Sequence, residues 1–203
     1  MKLVKTKDDS YTFYNEEYDE HYHSLSGALE EANKKYIEPL EVKNGMVILD
    51  VCFGLGYNTY AALKAAKHLK IIGLEKDTKI LEGLQQIKMD KEFEIIKKVS
   101  KDLEYKDENY EIRLLVGDAT KTIKEVKEKV DVVFFDPFSP KRNPECWTAK
   151  FFKDVFNVMK PGAKLATYSC ARVVRDNMKK AGFEIKDGIK LYRRGPSTIG
   201  TKN

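Results

Sequence analysis

Short runs of consecutive apolar residues alternate with stretches in which apolar residues recur at helical spacing, from about residue 46 onward. The apolar runs predict five strands, at 46–51, 71–75, 112–116, 130–135 and 165–169. The runs are continuous rather than alternating, which is typical of strands that are covered on both faces in a parallel sheet. The intervening segments predict helices at 58–68, 78–87, 121–128, 148–159 and 171–181. This order predicts an α/β fold with a doubly wound, mostly parallel sheet.

Three segments lie outside this alternation. Residues 1–44 combine an aromatic-rich start with a predicted helix at about 27–37. We interpret them as an N-terminal extension that packs on a catalytic domain of residues 45–203, and as a candidate lid. The charged segment 91–109 predicts one more surface helix and a loop. Near the end, 183–186 and 190–194 predict an antiparallel hairpin around Asp187 and Gly188.

Composition narrows the class of protein. The chain has 203 residues, 42% of them hydrophobic, and its 37 Lys and Arg against 32 Asp and Glu give a net charge of +5. This length fits one full-sized domain. No apolar run approaches the roughly 18 residues of a membrane helix, and the start lacks an apolar signal core. We therefore expect a cytoplasmic protein without a membrane partner. The mixed charges permit a nucleic-acid partner without requiring one.

The cysteines and histidines do not predict a metal or disulfide framework. Three cysteines at long spacings fit neither paired disulfides nor a paired-cysteine zinc site. His21 and His23 stand two residues apart, but no cluster of further ligands completes a metal site, so no metal is expected.

A glycine loop follows the first predicted strand, in the order Asp50-Val-Cys-Phe-Gly54-Leu-Gly56. Gly54 and Gly56 allow a tight turn and a close approach of backbone to a ligand. The helix that begins near Asn58 then directs free N–H groups toward the crevice at the carboxyl end of the sheet. We assign these three residues to cofactor binding, although a two-glycine loop alone is weak evidence and also fits a simple turn.

Acidic residues at the ends of the next strands indicate the kind of ligand. Glu75 ends the second strand about twenty residues after the loop, where a carboxylate accepts hydrogen bonds from ribose hydroxyls. Asp118 and Ala119 follow the third strand. A dinucleotide fingerprint would have a third small residue where Thr59 stands, and no phosphate-binding lysine is present. Acids without a phosphate cradle favour S-adenosylmethionine (SAM), a cationic nucleoside. The alternative is that these acids, with Asp50, only cap helices.

Asp136-Pro137-Phe138-Ser-Pro follows the fourth strand, and in position and residue types it resembles the (Asp/Asn)-Pro-Pro-aromatic corner of amine-directed methyltransferases. Methylation of an amine needs a free lone pair, and positive charge grows on nitrogen as the methyl group arrives. A carboxylate accepts a proton or stabilises that charge, so we predict that Asp136 is catalytic and that Pro137 and Phe138 contact substrate. The alternative is that Asp136 only forms a turn before proline.

Basic and aromatic residues follow this corner. Lys141 and Arg142 suit the phosphates of an anionic partner, and Trp147 suits stacking on a flipped base. We assign these three residues to substrate binding, together with Arg194 in the basic C-terminal segment. Trp147 is equally compatible with a hydrophobic staple before the next helix.

Several stretches together resemble the methyltransferase domain of the MnmC family of tRNA-modifying enzymes, and its stand-alone relatives even more. They are Tyr22-His-Ser-Leu-Ser-Gly-Ala-Leu-Glu30, Phe53-Gly-Leu-Gly-Tyr-Asn58, Asp136-Pro-Phe-Ser-Pro-Lys-Arg-Asn-Pro-Glu-Cys-Trp147, Thr167-Tyr-Ser-Cys-Ala171, Ala181-Gly-Phe183 and Arg194-Gly-Pro-Ser-Thr198. The long run after Asp136 is the specific one.

The resemblance implies a Rossmann-like class I methyltransferase. Its activity would be methyl transfer from SAM to the aminomethyl nitrogen on C5 of the wobble uridine, position 34, in the anticodon loop of tRNA. The family's catalytic aspartate would fall on Asp136, and its SAM-binding acids on Glu75 and Asp118. At 203 residues, we expect the chain to lack the family's FAD-dependent oxidase domain. A separate enzyme would therefore supply the aminomethyl group.

Two other functions stay open from the residues. An aminopropyltransferase of the polyamine-synthase type would use a similar crevice for decarboxylated SAM, but Lys141 and Arg142 beside the acidic corner count against it. A catalytically idle RNA-binding subunit would keep the fold without the cofactor. The intact glycine loop and acids argue against this reading.

Overall fold

A computed structural model describes residues 3–191 and 195–203, which form two sheets. The strands are β1 (Leu3–Lys5), β2 (Tyr11–Asn15), β3 (Glu20–His21), β4 (Val47–Val51), β5 (Leu69–Glu75), β6 (Glu104–Lys106), β7 (Tyr110–Val116), β8 (Val130–Phe135), β9 (Met159–Thr167), β10 (Glu184–Asp187) and β11 (Thr198–Thr201). The large sheet has the order β10-β11-β9-β8-β4-β5-β7-β6. Its five inner strands from β9 to β7 are parallel, which confirms the predicted fold class.

The strand order reverses at β4. The chain moves outward from β4 through β5 to β7, and then returns to place β8 on the other side of β4. Adjacent crossovers therefore leave on opposite sides of the β4–β8 boundary, which opens a crevice at the carboxyl ends of these strands.

Helices cover both faces of this sheet. They are α1 (Ala28–Ala32), α2 (Glu38–Leu40), α3 (Tyr57–Ala65), α4 (Thr78–Gly83), α5 (Lys91–Asp102), α6 (Ala119–Thr122), α7 (Ala149–Val158) and α8 (Arg172–Ala181). A π-helical turn, Asn33–Ile37, joins α1 to α2. Short 3₁₀ turns occupy Leu84–Gln86, Ile123–Glu125 and Pro144–Trp147. None of the described helices is both long enough and apolar enough to cross a bilayer.

Alternate residues of the central strands enter two separate cores. Ile48 and Phe134 pack under α1, α3 and α5, whereas Leu49, Val133 and Phe135 pack under α6, α7 and α8. All five are fully buried. The continuous apolar runs in the sequence arise because both faces of these strands are covered.

The small sheet, β1-β2-β3, was not predicted, and it lies beside the crevice. Phe13 of β2 is fully buried, and its ring lies against the backbone of Gly83 in α4. The Tyr57 hydroxyl of α3 accepts a hydrogen bond from the backbone N–H of Tyr11 at 2.8 Å. These contacts attach the N-terminal segment to the rest of the chain.

Two predicted segments differ from the structure. The 91–109 segment contains β6, a three-residue edge strand antiparallel to β7, where only a loop was expected. The C-terminal hairpin is present, but β10 pairs with Thr198–Thr201 rather than with 190–194. Of that predicted strand, 192–194 lie outside the described residues, and 190–191 are not in a strand. The actual partner, Thr198–Thr201, also pairs with β9, and this second ladder fixes its position at the sheet.

Candidate functional site

A cavity of about 580 Å³ lies at the carboxyl ends of β4, β5, β7 and β8. It is lined by residues at or shortly after the ends of those strands, which include Gly54, Glu75, Asp118 and Asp136. Residues 15–24 of the N-terminal segment contribute most of the opposite wall. The cavity therefore opens at the position where the strand order reverses.

Glycine is needed at the two loop positions for different structural reasons. Gly54 has φ +54° and lines the cavity, and its N–H donates to Glu75 Oε2 at 2.7 Å. Gly56 has φ +70° and does not line the cavity. A Cβ at Gly56 would lie 2.6 Å from Ile96 Cγ2 and 2.7 Å from Phe53 Cζ. Gly54 is thus the glycine beside the ligand space, whereas Gly56 is required for close packing.

Glu75 is held by backbone groups at the end of β5. It is 7% exposed, and its Oε1 accepts hydrogen bonds from the N–H groups of Lys76 and Asp77 at 2.8 and 2.7 Å. Burial raises the pKa of Glu75, although the backbone donors, including that of Gly54, oppose the rise. An ionised carboxylate has about four acceptor sites, so three backbone donors leave a site for a ligand hydroxyl.

Asp136 follows β8 directly, and its side chain reaches the cavity. Asn58 Nδ2 donates to Asp136 Oδ2 at 3.0 Å. The buried Tyr36 hydroxyl lies beside the same carboxylate but makes no hydrogen bond of good geometry with the described residues. Burial raises the pKa of Asp136, while His23 lowers it. Asn58, which we predicted to contact the cofactor, is 4% exposed and orients this carboxylate.

Asp50 is a second buried acid near the loop. It is fully buried, its Oδ2 accepts a hydrogen bond from Thr59 Oγ1 at 2.7 Å, and its Oδ1 has no partner among the described residues. Burial raises the pKa of Asp50 to about 8. It does not line the cavity. Asp50 therefore links the start of α3 to β4, and its burial favours the protonated form.

Asp118 and Ala119 lie on the cavity wall beyond β7. Asp118 is the N-cap of α6, and its Oδ1 accepts from the Thr120 N–H at 2.9 Å and from the Thr120 hydroxyl at 2.7 Å. Burial raises the pKa of Asp118, but these hydrogen bonds outweigh it and the pKa lies below its usual value. Asp118 therefore both caps α6 and lines the cavity.

The N-terminal segment contacts the corner after Asp136. Tyr18 stacks on Phe138 with ring centroids 4.6 Å apart, and Tyr22 meets the same ring edge-on at 5.0 Å. Glu20 accepts hydrogen bonds from the N–H of Ser139, at 3.0 Å, and from its hydroxyl. The Tyr22 hydroxyl also donates to Asp77 Oδ2 at 2.5 Å, on the Glu75 side. The segment therefore spans the cavity from one strand end to the other.

The predicted substrate-binding residues do not all lie in the cavity. Phe138 lines the cavity, as does Pro137, whose carbonyl accepts a hydrogen bond from the Tyr168 hydroxyl. Lys141 and Arg142 are exposed near the rim, and Arg142 pairs with Asp19. Arg194 lies outside the described residues.

Trp147 does not reach this surface. Its ring is 3% exposed and packs edge-on against Phe135 and Tyr168, and its Nε1 donates to the Phe138 carbonyl at 2.8 Å. The predicted stacking on a flipped base is therefore wrong, because the ring is enclosed by the core. Trp147 instead supports the corner from beneath.

The wall of the cavity is strongly acidic. Among the residues described around the cavity, nine are acidic and two, Lys76 and Lys79, are basic. Several acids come from the N-terminal segment, including Glu20, and the sequence analysis did not assign them to the site. The aromatic-rich start and the Tyr22–Glu30 resemblance were the features that pointed there. Such a wall attracts a cationic ligand and repels phosphate.

Comparisons with known proteins agree with this geometry. The model of a family described as S-adenosyl-L-methionine-dependent methyltransferase matches residues 81–203. An uncharacterized protein of Methanocaldococcus jannaschii is 36% identical, over 99% of this chain and 59% of that protein. The tRNA 5-methylaminomethyl-2-thiouridine biosynthesis bifunctional protein MnmC of Leptospira interrogans is 26% identical, over 92% of this chain and 33% of that protein.

A solved structure is similar over almost the whole chain. The crystal structure of MnmC2 from Aquifex aeolicus matches with a TM-score of 0.82 and 32% sequence identity. The match covers 98% of this chain and 69% of that one. By contrast, the chain spans less than two thirds of the length of the two sequence relatives.

Proposed function

Because the chain belongs to the S-adenosyl-L-methionine-dependent methyltransferase family, we propose that it methylates the aminomethyl nitrogen on C5 of the wobble uridine in tRNA. The observation that carries this proposal is the position of Asp136, a buried carboxylate at the end of β8 in an acidic cavity. The name of the MnmC relatives, which refers to 5-methylaminomethyl-2-thiouridine in tRNA, supports the choice of substrate.

The cofactor is SAM, and the residues around the cavity fit this molecule. A volume of about 580 Å³ lies within the range of roughly 300–1,000 Å³ for small-molecule sites. Glu75 keeps an acceptor site for a ribose hydroxyl, and Gly54 leaves space at the turn. The acidic wall favours the sulfonium of SAM over the phosphates of a dinucleotide.

Asp136 has two tasks in the proposed reaction. When SAM is bound, it supplies a methyl group that is already electrophilic, so catalysis depends mainly on positioning the amine. Asp136 accepts a hydrogen bond from the amine and stabilises the positive charge that grows on nitrogen during transfer. The hydrogen bond from Asn58 holds the carboxylate in one orientation. The low polarity that raises the pKa of Asp136 also strengthens this electrostatic effect.

The polyanionic tRNA and the acidic cavity are compatible, because only the modified base enters the cavity. The aminomethyl group is cationic in water, so the acids attract it, whereas the phosphates stay outside. Lys141 is exposed near the rim and suits a phosphate contact. A tRNA substrate would also place the reaction in the cytoplasm, with the aminomethyl group supplied by a separate enzyme.

The N-terminal segment, residues 1–44, is the proposed lid of the catalytic domain, residues 45–203. Tyr18 and Glu20 hold the segment to the corner after Asp136, and Tyr22 holds it to Asp77. Opening these contacts would give SAM access, and closing them would exclude water from the reacting groups.

Transfer of labelled methyl groups tests the proposal. The protein is incubated with methyl-labelled SAM and tRNA that carries 5-aminomethyluridine at position 34, and the nucleosides are analysed by mass spectrometry. We expect the label in 5-methylaminomethyluridine. Unmodified tRNA of the same sequence is the matched control and should stay unlabelled. Label on another nucleoside, or on the control tRNA, would contradict the proposed substrate.

The Asp136→Asn variant tests the role of the carboxylate in the same assay. The variant keeps the shape of the side chain and the hydrogen-bond contact with Asn58 but removes the negative charge. We expect a 10²- to 10⁴-fold lower kcat, with the Kd for SAM within a few-fold of the wild type. Full turnover by the variant would exclude Asp136 from the chemistry.

A further inference from the structure

His23 is a buried histidine that lines the cavity and has no role in the reaction steps described above. It is 9% exposed, and its Nε2 is fully enclosed without a hydrogen-bond partner among the residues that the structure describes. Buried polar groups in folded proteins are nearly always paired, because an unpaired one loses its hydration without compensation. His23 lines the cavity, so a ligand group that enters between His23 and its neighbours would supply the missing partner.

The position of His23 is fixed by its surroundings. Its backbone N–H donates to Thr12 Oγ1 at 3.0 Å, and its ring lies edge-on to Tyr57 with centroids 5.1 Å apart. His23 and Asp136 both line the cavity, and the charge of Asp136 raises the pKa of His23 against the effect of burial. These contacts position the imidazole near the carboxylate that is proposed to face the substrate amine.

The proposed substrate brings a proton that must be removed. An aminomethyl group is an ammonium in water at neutral pH, and an ammonium has no lone pair with which to attack the methyl group. We propose that His23 is a further catalytic residue, the general base that takes this proton from the substrate ammonium in the cavity. This inference rests on the proposed function.

The proton balance is complete within the site. The N–H bond of the ammonium breaks, its electron pair stays on nitrogen, and the proton bonds to the neutral imidazole. The free amine then attacks the methyl carbon, the bond from carbon to sulfur breaks with its electrons moving to sulfur, and the product leaves as a secondary ammonium. The imidazolium afterwards returns its proton to water.

The charges around His23 suit this task. Burial lowers the pKa of His23, so the imidazole is neutral before the substrate arrives. Asp136, Glu31 and Asp8 raise that pKa and would stabilise the imidazolium once it forms. Glu31 is itself paired with the buried Lys35, so Asp136 is the dominant partner at the cavity.

Kinetics of a His23→Gln variant test the proposal with the modified tRNA. We expect kcat to fall 10²- to 10⁴-fold with an unchanged Kd for SAM. Wild-type kcat/KM should be constant between pH 7 and 8. The kcat/KM of the variant should rise over the same range, because the variant can use only substrate whose amine is already deprotonated in solution. His68→Gln, remote from the cavity, is the matched control and should behave as wild type. A His23→Gln variant with wild-type kcat and pH profile would overturn the proposal.

A second measurement needs no substrate. The chain has three histidines, so ¹⁵N NMR of the rings can follow each one, in wild type and in Asp136→Asn. Loss of the Asp136 charge should lower the pKa of His23 and leave that of His68 unchanged. A His23 pKa that does not respond would overturn the pairing of base and carboxylate. If wild type fails to methylate the modified tRNA, the proposed function fails, whereas this titration separately supports or overturns the placement of His23.

Discussion

A side chain at position 56 should destabilise the protein in two ways, through backbone strain and through steric overlap, and a control variant separates the two effects. The Gly56→Ala variant would place a Cβ 2.6 Å from Ile96 Cγ2 and 2.7 Å from Phe53 Cζ, at a residue with φ +70°. Gly45 has φ +80° and nothing within 4 Å of the same hypothetical atom. Gly45→Ala is therefore a matched control that has the backbone strain but no clash.

The magnitudes follow from these two environments. A left-handed conformation costs an L-residue about 1–2 kcal/mol, and both variants bear this cost. Overpacking a well-filled core costs about 1–3 kcal/mol more, and only Gly56→Ala bears it, because Ile96 and Phe53 are both buried. We expect the free energy of unfolding of Gly56→Ala to lie about 1–3 kcal/mol below that of Gly45→Ala.

Urea unfolding measures this difference directly, provided that both variants keep the wild-type m value. SAM binding should weaken in Gly56→Ala as well, because the shifted loop carries the Gly54 N–H that holds Glu75. Gly45→Ala should bind SAM as wild type does. Equal stability of the two variants would refute the argument that packing, rather than backbone conformation, requires a glycine at position 56.

Three further predictions concern the acids. Burial raises the folded-state pKa of Asp50 to about 8, so the contribution of Asp50 to stability should fall as pH rises above about 4. In thermal unfolding at several pH values, Asp50→Asn should match the wild type below pH 4 and exceed it by roughly 4 kcal/mol at pH 7. Equal stability at pH 7 would contradict this. Glu75→Ala should weaken SAM binding at least about tenfold by calorimetry, since it removes the proposed acceptor for the ribose hydroxyls; an unchanged Kd would count against that role. Glu20→Ala should speed SAM release in stopped-flow measurements, because Ser139 loses its link to the N-terminal segment; an unchanged release rate would count against the lid.

The parallel core of the fold was predictable because its pattern is local. Continuous apolar runs identified all five inner strands, and β8 was predicted at its observed bounds, Val130–Phe135. The resemblance to the MnmC family is likewise confirmed. Strands of the N-terminal sheet are two to five residues long and have no such run, so no pattern distinguished them from loops.

The site was predictable only where residues follow parallel strands. Glu75, Asp118 and Asp136 meet at one edge because the sheet topology brings strand ends together. His23 and Glu20 reach the same cavity from the N-terminal segment, whose position depends on tertiary contacts such as those of Tyr18 with Phe138. Trp147 was misjudged for a related reason, since its position shortly after Asp136 in the sequence gave no information on which way its ring points.

A crystal structure with bound S-adenosylhomocysteine tests the central claim most directly. The claim is that the cofactor lies in the cavity at the ends of β4, β5 and β8. We expect the ribose within hydrogen-bond distance of the Glu75 carboxylate and the sulfur facing Asp136, with space between them for a methyl group and an amine. Density for the cofactor outside this cavity, or with the sulfur turned away from Asp136, would contradict the account.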